Sequence, residues 1–262
     1  MEKLLIIPTY NERENVAQIL KAVFDLQEGF HVLVIDDGSP DGTASIVKSL
    51  FSSYPGQLFL EERSGKLGLG TAYILGFGWA LQRKYRFIFE MDCDFSHSPA
   101  DLNKLYNACK IAGADVAVGS RYIKGGKIEN WPWVRVAISR GASFYTRLLT
   151  FMPVKDPTAG FVCYKYQVLE SINLDQISFV GYAFQIEMKF AAWKLGFKIK
   201  EVPITFIDRQ HGASKMNKGI VKEGILGVLK LKWMSMFKHY RKRVKKITTH
   251  VLVHDSAAAP NN

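Results

Sequence analysis

The sequence predicts an α/β fold with a mainly parallel central sheet flanked by helices on both faces. Strand-length apolar runs alternate with helical periodicities over residues 3–118. Glycine- and aspartate-bearing turns follow several of those runs. A hydrophobic content of 48% in 262 residues is enough for a full core. Alternation of this kind demands crossover connections, which return successive strands parallel to one another.

Lys3–Ile7 reads as a buried strand, followed by helical spacing over Glu12–Phe24 (Val16, Ile19, Leu20, Val23), with Asn11 as its N-cap. Val32–Ile35 is a second strand, running into Asp36-Asp37-Gly38-Ser39-Pro40-Asp41-Gly42 and a helix over Thr43–Ser52. Leu58–Leu60 is a short strand. The glycine-punctuated stretch 64–70 leads from it into a helix over Ala72–Leu81. Lys66-Leu67-Gly68-Leu69-Gly70 lacks both the Walker spacing and G-x-G-x-x-G, so it reads as a turn entering a helix, with Lys66 a candidate to reach a ligand. Phe87–Met91 is a strand, Leu102–Ile111 a helix and Val116–Val118 another strand. Beyond Gly119 come a polar loop over Lys124–Trp133, a helix over Val134–Thr150, a strand over Phe161–Tyr164, a helix over Ala183–Leu195 and a strand over Ile199–Val202.

The motif richest in chemistry is Asp92-Cys93-Asp94, delivered at the carboxyl end of the strand Phe87–Met91. Ligands in open α/β sheets bind beyond the carboxyl ends of the strands. Two carboxylates one residue apart at that edge suit a hard divalent cation, Mg²⁺ or Mn²⁺, holding a diphosphate. Pro8–Glu12 and Asp36-Asp37 end the first two strands and can line the same crevice, where a carboxylate can accept hydrogen bonds from a base or a ribose hydroxyl. His97 reads as a structural loop histidine and Cys93 as a small spacer.

Taken in order, several segments resemble nucleotide-sugar glycosyltransferases of family 2, and among them the polyprenol-phosphate (dolichol-phosphate) mannose synthases. They are 7–12 (IPTYNE), 34–43 (VIDDGSPDGT), 91–97 (MDCDFSH), 119–122 (GSRY), 130–132 (NWP), 156–161 (DPTAGF), 181–188 (GYAFQIEM) and 209–215 (RQHGASK). The resemblance implies the Rossmann-like GT-A fold and transfer of mannose from GDP-mannose to a polyprenyl phosphate, by metal-assisted inverting displacement. It implies donor contacts from Pro8, Thr9, Tyr10, Glu12, Asp36, Asp37, Lys66, Asp92 and Cys93. Asp92 and Asp94 would hold the metal, with Ser96 standing where some relatives carry Gln. Arg121, Arg135 and Ser139 would meet the acceptor phosphate, while Arg209 and Lys215, from a mobile segment, would close over both phosphates. A phosphate monoester is already ionised near neutral pH and needs little general-base help. Positioning and charge neutralisation, by Asp94, Arg121, Arg209 and Lys215, should therefore dominate catalysis.

The net charge of +11 is concentrated near the C-terminus. Residues 1–214 hold 24 basic and 22 acidic side chains, whereas residues 215–246 hold 11 basic and one acidic. Residues 219–240 read as a helix with Val221, Ile225, Val228, Leu229, Trp233, Met236 and Tyr240 on one broad arc, followed by Arg241-Lys242-Arg243. That pattern suits an interfacial helix on an anionic membrane surface. The expected organisation is a catalytic domain over 1–217, a basic membrane-associating helix over 218–246 and a disordered tail over 247–262. No apolar run approaches the ~20 residues a bilayer span needs, and the N-terminus lacks a signal peptide. With three unpaired cysteines, the expectation is a cytoplasmic protein peripheral to a membrane, with room for a membrane-anchoring protein partner. The enzymatic alternative is glucose transfer from UDP-glucose to the same lipid. A nucleic-acid-binding module using the basic run is the alternative from another class, but no RNA- or DNA-binding motif accompanies it, so no nucleic-acid partner is expected.

Overall fold

The computed structural model describes residues 1–181, 183–208 and 218–242. Its centre is a seven-stranded sheet built from β1 (Lys3–Thr9), β2 (Phe30–Asp36), β3 (Leu58–Glu62), β4 (Phe87–Glu90), β5 (Val116–Ser120), β7 (Val162–Lys165) and β8 (Ile199–Pro203). The strand order is β3-β2-β1-β4-β7-β5-β8. All neighbours are parallel except β7, which runs antiparallel between β4 and β5. The first five strands, β1 to β5, alternate with α1 (Val16–Phe24), α2 (Thr43–Ser49), α3 (Leu69–Gln82) and α4 (Leu102–Lys110), as the sequence predicts.

Alternation of side chains across the sheet splits the core in two. Leu5, Ile7, Val32 and Val34 face α1 and α4, where Ile19, Leu20, Leu102 and Leu105 meet them. Leu4, Ile6, Leu33 and Ile35 face the other way, onto Tyr73 and Phe77 of α3. There they join Phe184 and Met188 of α7 (Ala183–Lys194) and Val168 of α6 (Tyr166–Ser171). Each sheet face is thus covered by helices, and the carboxyl ends of β1, β2 and β4 open onto one edge.

Four of the departures from the sequence expectation matter most. Asn11 does not cap the first helix. It lies at φ +57° with its N–H donating to Ser39 Oγ at 3.0 Å, and α1 begins only at Val16. The loop is drawn toward the second strand instead of turning directly into a helix. The polar loop 124–133 contains a short strand, β6 (Lys127–Glu129), paired in parallel with β9 (Thr205–Ile207). The helix α5 (Trp133–Thr150) begins one residue before the expected start.

The fourth departure is at the C-terminal end. Helix α8 (Lys218–Met234) ends well before residue 240, and the predicted arc does not form one face. Val228, Leu231 and Tyr240 are buried on the domain, whereas Leu229, Trp233 and Met236 are exposed. A close approach at Gly227, whose added Cβ would lie 3.1 Å from Ala183 Cβ, seats α8 on α7. Lys238 completes the attachment by donating to Glu187 Oε1 at 2.6 Å in a buried ion pair.

The contact between α3 and the sheet depends on one small residue. A Cβ at Gly76 would meet Ile6 Cδ1 at 2.8 Å and Ile35 Cδ1 at 3.0 Å, while one at Gly78, two residues on, would meet nothing within 4 Å. Gly76→Ala is expected to lower unfolding stability by about 1–3 kcal/mol through overpacking. Gly78→Ala should raise it by up to about 1 kcal/mol through helix propensity. Urea denaturation of the two variants measures the contrast.

Candidate active site

Strand β4 ends at the buried Glu90, the buried Met91 follows, and the chain then turns through Asp92-Cys93-Asp94 at the open edge of the sheet. Asp92 is half-buried and Asp94 is 6% exposed. Cys93 packs into the core on the α1 and α4 face, which explains why a small residue separates the two carboxylates. The turn is tight. Phe95 takes φ +58°, a left-handed conformation that costs a bulky residue free energy, and Ser96 N–H donates to Asp94 Oδ1 at 3.0 Å. Ser96 in turn accepts from Ile207 N–H at 3.2 Å, which ties this turn to β9. Among the described residues no group of three or more His, Cys, Asp or Glu side chains is arranged to hold a metal. Asp92, Asp94 and the Ser96 hydroxyl form a small set of hard oxygen donors at the mouth of the crevice.

The loops after β1 and β2 meet beside this turn. Asp36 is consumed in holding them together: it accepts from Thr9 Oγ1 (2.8 Å), Ser39 Oγ (2.6 Å) and Ser39 N–H (2.8 Å). Asp37 accepts from Arg63 Nε at 2.7 Å, and Arg63 also reaches Thr71 Oγ1 (2.7 Å) and Gly68 O (3.2 Å). That ion pair is nearly enclosed, with both side chains less than a tenth exposed. It fixes the glycine-rich stretch against the second strand. Lys66 follows on the same stretch, with its ammonium 4.9 Å from the Tyr10 ring centroid. Glu12 accepts from Asn15 Nδ2 at 2.8 Å, and its N–H donates to Thr43 Oγ1. Pro8, Thr9, Tyr10, Glu12, Asp37 and Lys66 therefore gather around one crevice.

On the other flank the predicted acceptor-side residues also converge. Arg121 follows β5 and forms a bidentate pair with the fully buried Asp156, Nε and Nη2 each at 2.7 Å, with Nη2 also 3.0 Å from Thr158 Oγ1. Arg135, near the start of α5, donates to Asp208 at 2.9–3.0 Å and stacks 3.9 Å from the Trp131 ring centroid. Ser139, one turn further, accepts from Tyr122 O–H at 2.6 Å. His97 joins this group to the Asp92–Asp94 turn. It stacks on Phe161 at 5.0 Å and meets Phe206 edge-on at 5.2 Å, and Trp131 packs against the same Phe206. The reading of His97 as a structural histidine fits this placement. Arg209 and Lys215 lie outside the described residues.

Sequence reasoning missed what underlies the site. Glu90 is completely buried, and neither of its carboxylate oxygens has a direct hydrogen-bond partner. Lys189, on α7, is equally buried. Burial raises the Glu90 carboxyl above the usual carboxylate range, opposed by the Lys189 charge, and burial lowers the Lys189 ammonium, opposed by Glu90. The visible signal was a lone Glu inside the apolar run Phe87–Met91. Arg63, the brace on Asp37, carried no motif at all.

Residues 4–172 match the model of "Glycosyl transferase family 2". The chain belongs to that family. Its relatives include the polyprenol monophosphomannose synthase of Mycolicibacterium smegmatis, 45% identical over 86% of this chain and 84% of that protein. The undecaprenyl-phosphate mannosyltransferase of Micrococcus luteus is 43% identical over 87% and 93%. The dolichol-phosphate mannosyltransferase of Pyrococcus furiosus is 37% identical over 89% of this chain but 64% of its own length. Among solved structures, glucosyl-3-phosphoglycerate synthase from Mycobacterium tuberculosis with Mn²⁺, UDP-glucose and glycerol 3-phosphate superposes with a TM-score of 0.64 at 15% identity, covering 88% of this chain and 79% of that one. A mannosyltransferase from Pyrobaculum calidifontis with GDP-Man and Mn²⁺ superposes at 0.57 and 15% identity, covering 92% and 66%. The fold of this glycosyltransferase is GT-A, as the sequence resemblance implies.

His97 gives the family 2 site a pH signature. Burial holds its pKa down at about 4, with Asp94 opposing and Arg121 reinforcing the shift. The unfolded chain takes up this proton below about pH 6.5, the folded one only near pH 4. Its stabilising contribution is therefore complete above pH 6.5 and falls away as the pH drops toward 4, by about 3 kcal/mol in all. His97→Phe, which keeps the ring stacking, is expected to flatten the stability profile over that window. Denaturant titrations at pH 7, 5 and 4 test it.

Proposed function

We propose that this glycosyltransferase moves mannose from GDP-mannose onto a polyprenyl phosphate, using Mg²⁺ or Mn²⁺, at the cytoplasmic surface of an anionic membrane. The observation that carries the reading is the agreement of three relatives, at 37–45% identity over most of this chain, all named for mannosyl transfer or mannose synthesis on polyprenyl-type phosphates. Glucose transfer from UDP-glucose is the weaker reading, because the glucosyl-transferring neighbour is only 15% identical. Binding of nucleic acid draws no support from the family.

In this reading Tyr10, Glu12 and Asp37 contact the nucleoside. Asp37 is pre-oriented by Arg63 and can accept through its second oxygen, while Asp36 stiffens the loop from beneath. Pro8, Thr9 and the main chain at Cys93 complete the donor wall, and Lys66 meets the phosphates. Asp92 and Asp94, with Ser96, are the residues fitted to hold the divalent cation, because carboxylate and hydroxyl oxygens suit hard ions. A cation bound there supplies charge neutralisation to the leaving diphosphate. Arg121, Arg135 and Ser139 receive the acceptor phosphate, with Arg121 held in place by its pair with Asp156. Arg209 and Lys215 close the set over both phosphates. Positioning and electrostatic stabilisation of this kind account for the reaction without a general base.

The membrane part of the reading rests on α5, which is built inside out. Its buried positions are Ser143, Thr146 and Thr150, two of whose hydroxyls return to carbonyls of their own helix. Its exposed positions include Trp133, Phe144 and Leu148, with Phe151 just beyond its end. Leu229, Trp233 and Phe237 of the neighbouring α8 segment extend the exposed apolar surface, and Arg140, Arg147, Lys230 and Lys232 lie among them. An apolar face rimmed by cations suits an anionic lipid surface. In the proposed organisation, residues 1–217 form the catalytic unit and 218–246 contribute to the membrane contact. No helix among the described residues is long and apolar enough to cross a membrane.

Incubation with Mn²⁺, a polyprenyl phosphate and either GDP-mannose or UDP-glucose tests the reading. Mannolipid from GDP-mannose alone is expected, with Asp94→Ala reducing kcat at least 10²-fold. Product from UDP-glucose alone would replace the donor. A second expectation concerns the surface: Phe144→Ser with Phe151→Ser should weaken binding to phosphatidylserine vesicles at least tenfold, since each aromatic ring buried is worth roughly 1.5–3 kcal/mol. Vesicle co-sedimentation measures it, and unchanged binding would remove α5 from the membrane contact.

A further inference from the structure

The interior behind Asp92 contains an ammonium group that the proposed reaction does not use. Lys189 is completely buried on α7 and donates to three acceptors: Ala159 O at 2.6 Å, Gln185 O at 3.0 Å and Gln185 Oε1 at 3.1 Å. Three donors meet three carbonyl-type oxygens, so the ammonium is fully satisfied by hydrogen bonds. Glu90, the last residue of β4, is buried close enough to interact with it electrostatically. A buried cation is costly, and a methionine would fill the same space without that cost. The short bond to Ala159 suggests what the charge is for.

Ala159 belongs to the segment 156–160, which touches both halves of the site. At one end, Asp156 holds the Arg121 guanidinium, and Asp156 O accepts from Ala159 N–H at 3.3 Å. At the other, Gly160 sits between Gln185 and Asp92, so that an added Cβ would lie 3.8 Å from Gln185 Nε2 and 3.9 Å from Asp92 Oδ2. Lys189 therefore pins, from inside the fold, a stretch of backbone that abuts the Asp92 carboxylate and carries the Asp156 partner of Arg121.

We propose that Lys189 is a positioning residue for glycosyl transfer. Through Ala159 it holds the 156–160 segment in register with Asp92 and Arg121. The role rests on the mannosyl-transfer reading for its chemistry, but the hold on the segment does not.

The test removes the tether without stranding a charge. Lys189→Met alone leaves Glu90 uncompensated and invites unfolding, so the informative variant is Lys189→Met combined with Glu90→Gln. Hydrogen exchange of peptides covering 156–161 is expected to accelerate at least tenfold in the double variant, while peptides from β2 stay unchanged. In the mannosyl-transfer assay kcat is expected to fall on the order of 10²-fold, as small misplacements do, with KM for GDP-mannose held within about threefold. Wild-type exchange at 156–161, or wild-type kcat in a folded double variant, would overturn the proposal. A wild-type protein that makes no mannolipid would overturn the proposed function instead, and the exchange measurement would still report on the tether.

Discussion

Asp156 is completely buried, and an ionised carboxylate in a protein interior must be paired. Arg121 meets that requirement with two parallel N–H···O bonds and a third from its own backbone N–H at 3.0 Å. The rest of the site hangs on this pair. Asp156 N–H donates to Glu201 on β8 at 3.0 Å, and Thr158 bonds to the same guanidinium, so the ends of β5 and β8 and the segment before β7 become one unit. Removing one partner of such a pair typically costs 3–5 kcal/mol, because it leaves an uncompensated buried charge. Arg121 is thus fixed by the fold itself, so that in the proposed reaction its guanidinium would not have to be ordered.

The same economy governs the opposite flank. Asp36 and Asp37 lie at the end of β2, Asp92 and Asp94 follow β4 on the other side of β1, and the fold assigns them different work. Asp36 knots the β1 and β2 loops through Thr9 and Ser39, and Asp37 is gripped by Arg63. Asp92 and Asp94 instead stand on a strained turn at the mouth of the crevice, braced from below by the packed Cys93 and from the side by Ser96. On the proposed function, a carboxylate pair held in this way would be pre-oriented for a cation and a diphosphate. Backbone strain at Phe95 persists because β9 and the core on either side hold the turn.

Much of this was legible in the sequence, and what was not has a common cause. Helix and strand periods are local, so the alternation through β5 could be read directly, and so could the motifs that end each strand. The antiparallel insertion of β7 between β4 and β5 could not, because strand order depends on which distant edge a segment reaches. The same holds for β6 and β9, three residues each and paired across a separation of 78 residues, from Lys127 to Thr205. Arg121 and Asp156 both lay in recognised motifs, but nothing in either indicated that they would meet. Glu90 and Lys189 looked like ordinary charged residues, one in a strand and one in a helix, until the fold buried both. The arc assigned to residues 219–240 failed for a related reason: one face of an amphipathic helix can be divided between a protein core and an exposed surface, and periodicity does not distinguish them.

That division bears on how the two ends of a lipid phosphate are to be accommodated. Arg135 and Ser139 stand in the first two turns of α5, beside Trp131 and Tyr122 and close to the aromatic group that reaches His97. Phe144, Leu148 and Phe151 follow on the outward side, so the helix runs from the cation-lined site to its apolar end over about 24 Å, at 1.5 Å per residue. A head group with a charged phosphate and a long hydrocarbon tail has the same polarity along its length. On the proposed function, one helix would then carry both recognitions, with the phosphate held where the arginines converge and the tail left in the bilayer against which the helix lies. Burying Ser143, Thr146 and Thr150 beneath α5 makes sense on that account: small side chains, the two threonines satisfied by their own helix, let it sit close to the domain while its large apolar residues face outward.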